Sequence, residues 1–83
     1  MRHIGVKYHT AGDIYKYDGT LIPRDEPLFL FRGRDQLVPK TLEFYLELRR
    51  AAGTPGLDIL LQDLDQIKAW QKANPAKLKT PGS

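Results

Sequence analysis

The order of hydrophobic periods along the chain predicts an α+β fold, a small antiparallel sheet of three to four strands followed by two C-terminal helices packed on it. Three observations carry this. The first third alternates apolar and polar residues and is cut by Asp18-Gly19. A continuous apolar run, Leu28-Phe29-Leu30-Phe31, lies between Pro27 and Gly33. From Pro39 on, apolar positions recur at helical spacing as far as Asn74-Pro75.

Residues 2 to 9, Arg-His-Ile-Gly-Val-Lys-Tyr-His, place Ile4, Val6 and Tyr8 on one face, with Arg2, Lys7 and His9 among the rest. That alternation predicts one half-buried strand. Asp18-Gly19 separates two β-prone runs, Ile14-Tyr15-Lys16-Tyr17 and Thr20-Leu21-Ile22. It signals a hairpin, since a type I′ turn needs positive φ at both central residues. Pro23-Arg24-Asp25-Glu26-Pro27 breaks the pairing. Leu28 to Arg32, too short for a helix, then predicts the most buried strand and the centre of the sheet.

From Pro39 to Ala52, Leu42, Tyr45, Leu46 and Arg49 share a helical face. Phe44, Leu48 and Ala51 widen the apolar arc, and Gly53 supplies a stop. Pro39 suits the first helical turn, after a short turn from Asp35 to Val38. Thr54-Pro55 pairs a capping hydroxyl with an N1 proline, and Leu57, Leu60, Leu61, Leu64, Ile67 and Lys68 form the stripe of a second helix ending near Ala73. A single domain over residues 1–73 follows. Residues 74–83, with two prolines, one glycine and one large apolar side chain, read as a flexible basic tail.

The chain has 83 residues and no cysteine. A domain of this size buries only about 60% of its unfolded surface, so association with a second copy or a ligand is a common supplement. The absence of cysteine excludes a disulfide framework and a thiolate nucleophile, and a cytoplasmic protein is expected. The longest apolar runs fall far below the roughly 18 residues that span a bilayer, so no membrane partner is expected. Net charge is +3. Residues 1–67 hold nine Lys and Arg against ten Asp and Glu, and Lys68, Lys72, Lys77 and Lys79 stand alone beyond them. Duplex-binding proteins spread a basic stripe over the folded surface, so a nearly neutral body argues against nucleic acid as partner.

The densest polar cluster, Arg32-Gly33-Arg34-Asp35, leads into the helix that begins near Pro39-Lys40-Thr41. Guanidinium forks, unpaired N–H groups and a positive helix end together suit a phosphate. Arg32 and Arg34 would neutralise it, Thr41 would donate a hydrogen bond, Lys40 would add attraction, and Tyr45 or Tyr17 would stack on a base. The ordinary alternative has both arginines paired with Asp35, Glu43 or the Asp25-Glu26 turn. No Gly-x-x-x-x-Gly-Lys-Thr or Gly-x-Gly-x-x-Gly pattern is present. His3 and His9, on one extended strand, would stand about 20 Å apart, too far to share an ion. Outside the expected caps and the tail the aliphatic hydroxyls are Thr10 and Thr20, and neither has a histidine at useful spacing, so catalysis is not expected; nor is a metal or a cofactor. Phe44, Leu48 and Trp70 lie off the main helix stripes and are expected to form an interface in a homo-oligomer.

The segment Ile22-Pro23-Arg24-Asp25-Glu26-Pro27-Leu28-Phe29-Leu30-Phe31-Arg32, continuing through Asp35-Gln36-Leu37-Val38-Pro39-Lys40-Thr41 to Tyr45, resembles small phage and bacterial proteins. They share an Ile-Pro-x-Asp-Glu-Pro turn, an apolar strand ending in Arg, and an Ala-Pro or Val-Pro helix start. The resemblance spans about residues 18 to 53, with Val38 where Ala is the commoner residue and a longer basic C-terminus. It implies a non-enzymatic phage protein directed against host defence, acting in the host cytoplasm by sequestering a nucleotide signal or blocking a protein. Residues and resemblance together lead to the expectation of an oligomeric binder of a small anionic, nucleotide-like ligand. The alternative is a module that docks a partner through an apolar helix face.

Overall fold

The computed structural model describes residues 1–80. Their contacts gather into two units, Met1–Leu30 and the chain from Phe31 onward. The fold is α+β, but its sheet has two strands where three to four were expected: β1 (Arg2–Ile4) and β2 (Tyr8–Thr10), antiparallel, followed by helices α1 (Val38–Ala52) and α2 (Leu57–Ala73).

The stretch read as one strand over residues 2–9 is a hairpin. Gly5 takes φ 60°, a left-handed conformation open to glycine and strained for most other residues, and turns the chain back on itself. The register pairs Arg2 with Thr10, His3 with His9 and Ile4 with Tyr8. Alternation still governs the faces: Arg2, Ile4, Tyr8 and Thr10 are buried or half-buried, while His3 and His9 are exposed. Val6, placed by the pattern on the covered face, sits exposed at the turn.

Asp18-Gly19 does make a hairpin turn, of a different type. Only Gly19 has positive φ; Asp18 does not. Gly19 N–H donates to Lys16 O at 2.9 Å and Lys16 N–H to Thr20 O at 2.8 Å, the three-residue loop that closes on a left-handed glycine. The flanking runs contribute one isolated bridge, Tyr15 with Leu21, rather than two strands. Asp18 accepts hydrogen bonds from Thr20 and Asp13 accepts one from Arg24 at 2.6 Å; each holds its carboxyl below the ordinary value.

Leu28 to Arg32, expected as the central strand, belongs to no strand; Phe29 is 77% exposed, and the boundary between the units falls after Leu30. A short apolar run has no strand preference of its own to enforce. Strand formation is decided by what the rest of the fold offers as a partner, and the strands of this unit are the two three-residue strands of the hairpin. The first unit buries no apolar side chain. Its one buried residue is Arg2, 3% exposed, whose guanidinium donates to His3 O at 2.5 Å, Pro23 O at 3.1 Å and Glu26 O at 2.6 Å.

The helices follow the sequence closely. α1 ends where Gly53, at φ 69°, donates to Arg50 O while Thr54 N–H donates to Arg49 O, so two carbonyls left over at the helix end are satisfied. Thr54 was expected to cap α2. Its hydroxyl instead bonds Arg49, and α2 starts after Gly56 with no side-chain cap. Val38, Leu46, Leu60 and Leu64 are buried, and the mutual packing of α1 and α2 supplies this core. Residues 74–80, expected to lie in a flexible tail, carry a 3-10 turn at Pro75–Lys77 and a parallel bridge between Lys79 and Asp35. The remainder of that expected tail, 81–83, lies outside the described residues. No helix among the described residues is long and apolar enough to cross a membrane.

Candidate functional site

Three short segments of the second unit meet in one cleft. Arg32, Gly33 and Arg34 form one wall. Gln66, Ile67 and Trp70, from the last turns of α2, form the floor, and Lys77 and Lys79 face them; the volume is about 620 Å³, within the 300–1,000 Å³ usual for small-molecule sites.

Backbone and amide hydrogen bonds hold the walls. Lys79 N–H donates to Arg34 O at 2.8 Å, and Gln36 N–H donates to Lys79 O at 2.9 Å, which seats Lys79 beside Arg34. The Gln71 side-chain amide, one position beyond Trp70, donates to both Gly33 O and Asp35 O at 2.9 Å and so fastens the arginine loop to α2. Past the helix end, the Asn74 amide donates to Trp70 O at 2.8 Å, and Lys77 N–H to Asn74 O at 3.0 Å, curling the chain back over the cleft. A Cβ on Gly33 would stand 3.9 Å from Cε3 of Trp70, so the loop lies directly against the indole.

Four cations therefore line the cleft. None takes part in an ion pair among the described residues, where Arg24–Asp13, Arg50–Glu47 and Lys68–Glu43 are the pairs formed. The alternative weighed for Arg32 and Arg34, pairing with Asp35 or Glu43, does not occur. Asp35 instead accepts from Leu37 N–H at 2.8 Å, and Glu43 accepts from Lys68 at 2.8 Å, a bond that raises the lysine above its ordinary pKa. The carbonyl end of α2 eases the crowding of positive charge, because the helix dipole is negative there. Apolar Ile67 and Trp70 beneath guanidinium and ammonium groups that make no ion pair among the described residues can take up a phosphate-bearing molecule with a flat ring.

Comparison of the chain with known protein families, curated proteins and solved structures gave no match.

Of the six residues singled out for the ligand, only Arg32 and Arg34 line this cleft. Thr41 donates its hydroxyl to Leu37 O at 2.7 Å within its own helix. Tyr45 lies under Arg49, whose guanidinium carbon is 5.8 Å from the ring centre. Tyr17 is exposed beside the Asp18-Gly19 turn of the first unit. Lys40 lines a second groove with Glu43, Phe44, Leu46, Glu47, Arg50, Leu61, Leu64 and Lys68. The expected interface trio divides as well: Phe44 is on that groove and 67% exposed, Leu48 is exposed, and Trp70 belongs to the cationic cleft. Lys77, Lys79, Gln66, Ile67 and Gln71 were missed. The available signal was Asn74-Pro75, an opening for a new turn, with Leu78 as an apolar anchor between the two lysines; Leu78 is half-buried.

Proposed function

We propose that the protein binds a phosphate-bearing small molecule with an aromatic ring, a nucleotide, in the cleft lined by Arg32, Arg34, Lys77, Lys79 and Trp70, and does so without chemical turnover. The observation that carries this reading is the convergence of four cations, none ion-paired among the described residues, on one indole. Arginine forks and ammonium groups hold phosphate oxygens, and the ring stacks on Trp70. Sequestration of a signalling nucleotide, as implied for the phage proteins that residues 18–53 resemble, is the role this binding would serve.

Trp70 is the sole tryptophan, so its fluorescence reports on the cleft alone. Titration with ATP, ADP-ribose or a cyclic dinucleotide is expected to change that emission saturably for at least one of them, and the ligand is recovered intact. Inorganic phosphate and adenosine bind at least about tenfold more weakly, since each keeps only one kind of contact. No saturable change and no calorimetric heat with any of the three nucleotides overturns the reading.

A second reading rests on the other groove, where Phe44 and Leu61 remain exposed; Leu48 and Ile59 are further exposed apolar side chains of the helix pair. Apolar side chains at this density suit association, and a homo-oligomer is the occupant we propose. Sedimentation of the wild type is expected to show a dimer or larger species, and Phe44→Asp to release monomer. A monomeric wild type at high concentration removes this reading and leaves the nucleotide cleft untouched.

A further inference from the structure

We propose that His3 and His9 form a two-imidazole site for a divalent transition-metal ion of the Zn(II) or Co(II) class on the open face of the β1–β2 hairpin. The register makes them direct cross-strand partners, which places their side chains on the same face. Cβ atoms of such partners stand about 4.5–5.5 Å apart. Two nitrogens each about 2.0–2.1 Å from one ion stand roughly 3 Å from each other, a separation that two imidazoles on that base can reach. Both histidines are exposed, while their strand neighbours Arg2, Ile4, Tyr8 and Thr10 turn to the covered face. The ion would therefore approach from solvent without displacing packed side chains. Among the described residues no cluster of three or more His, Cys, Asp or Glu side chains is placed to hold a metal, so water completes the coordination. Binding of this kind is exchangeable and bridges the two strands, and metal held by the folded hairpin alone stabilises it.

The test is a titration of the full chain with Zn(II), which leaves backbone amides protonated, followed by the imidazole proton resonances. Those of His3 and His9 are expected to shift together along one saturation curve. His3→Ala and His9→Ala are each expected to weaken binding by about tenfold or more, because each removes one arm of the chelate. A cross-strand proton contact between Ile4 and Tyr8 shows whether each variant keeps the hairpin. If a variant loses it, the wild-type resonances decide: joint movement supports the site, and movement of one histidine alone overturns it. Unchanged affinity in either folded variant also overturns it, as does a wild-type chain whose imidazoles do not respond to Zn(II).

Discussion

Replacing Arg32 and Arg34 together by alanine is expected to reduce nucleotide affinity by a hundredfold or more while leaving the helix pair folded. Charge-assisted hydrogen bonds contribute about 1.5–3 kcal/mol each, and loss of two such donors from one cleft removes about 3 kcal/mol at the least. The fold does not depend on these side chains. What the structure uses from this loop is the backbone: Gly33 O and Asp35 O accept from Gln71, and Arg34 O accepts from Lys79 N–H. The double variant is therefore a test of charge, readable by calorimetry beside a helical circular-dichroism spectrum that does not change. Gln71→Ala probes the complementary property. It keeps all four cations and releases the loop that carries two of them, so it weakens binding less, and the loss is partly restored by Gln71→Asn only if the shorter amide still reaches a carbonyl. Equal affinity in the wild type and the arginine double variant would sink the assignment of the cleft.

The difference between what the sequence disclosed and what it concealed follows the range of the interactions involved. Helices were legible because their determinants are local: the Leu42, Leu46 spacing, Pro39 near the start and Gly53 at the stop all act within a few residues. The same locality gave the Asp18-Gly19 turn. Strands were not legible, since Leu28 to Arg32 has the composition of a buried strand yet takes no strand assignment, and strand formation is decided by partners distant in sequence. Gly5 misled in the opposite sense, because alternation continues smoothly through a residue whose positive φ reverses the chain. The cleft was half legible. Arg32 and Arg34 could be picked out as a charge cluster, but their ligand-side neighbours Lys77 and Lys79 lie more than forty residues later, brought close by the bridge between Asp35 and Lys79. A charge count that divides the chain into body and tail cannot register such a contact.

Arg2→Ala is expected to unfold the first unit. Nothing apolar is buried between Met1 and Leu30, so the Arg2 guanidinium takes the place of a core. It reaches from the hairpin to Pro23 O and Glu26 O, closing the loop that carries Asp13, Asp18 and Arg24. Alanine removes these bonds, each made by a charged donor and contributing about 1.5–3 kcal/mol. A unit this small has only a few kcal/mol of stability to lose. Hydrogen exchange followed by mass spectrometry should show amides of residues 2–26 exchanging as in an unfolded chain, with the amides of α1 and α2 as internal reference. Arg2→Met separates the two properties of the side chain. It fills much of the same volume and removes a buried charge that, among the described residues, has no carboxylate within ion-pairing distance and no hydrogen-bond partner at Nε. Were burial of the stem sufficient, methionine would match or exceed the wild type, as apolar replacements of buried charges often do. Because three backbone carbonyls converge on the guanidinium, methionine should instead fail much as alanine does, and full protection in the methionine variant would show that the clasp holds by packing rather than by its hydrogen bonds.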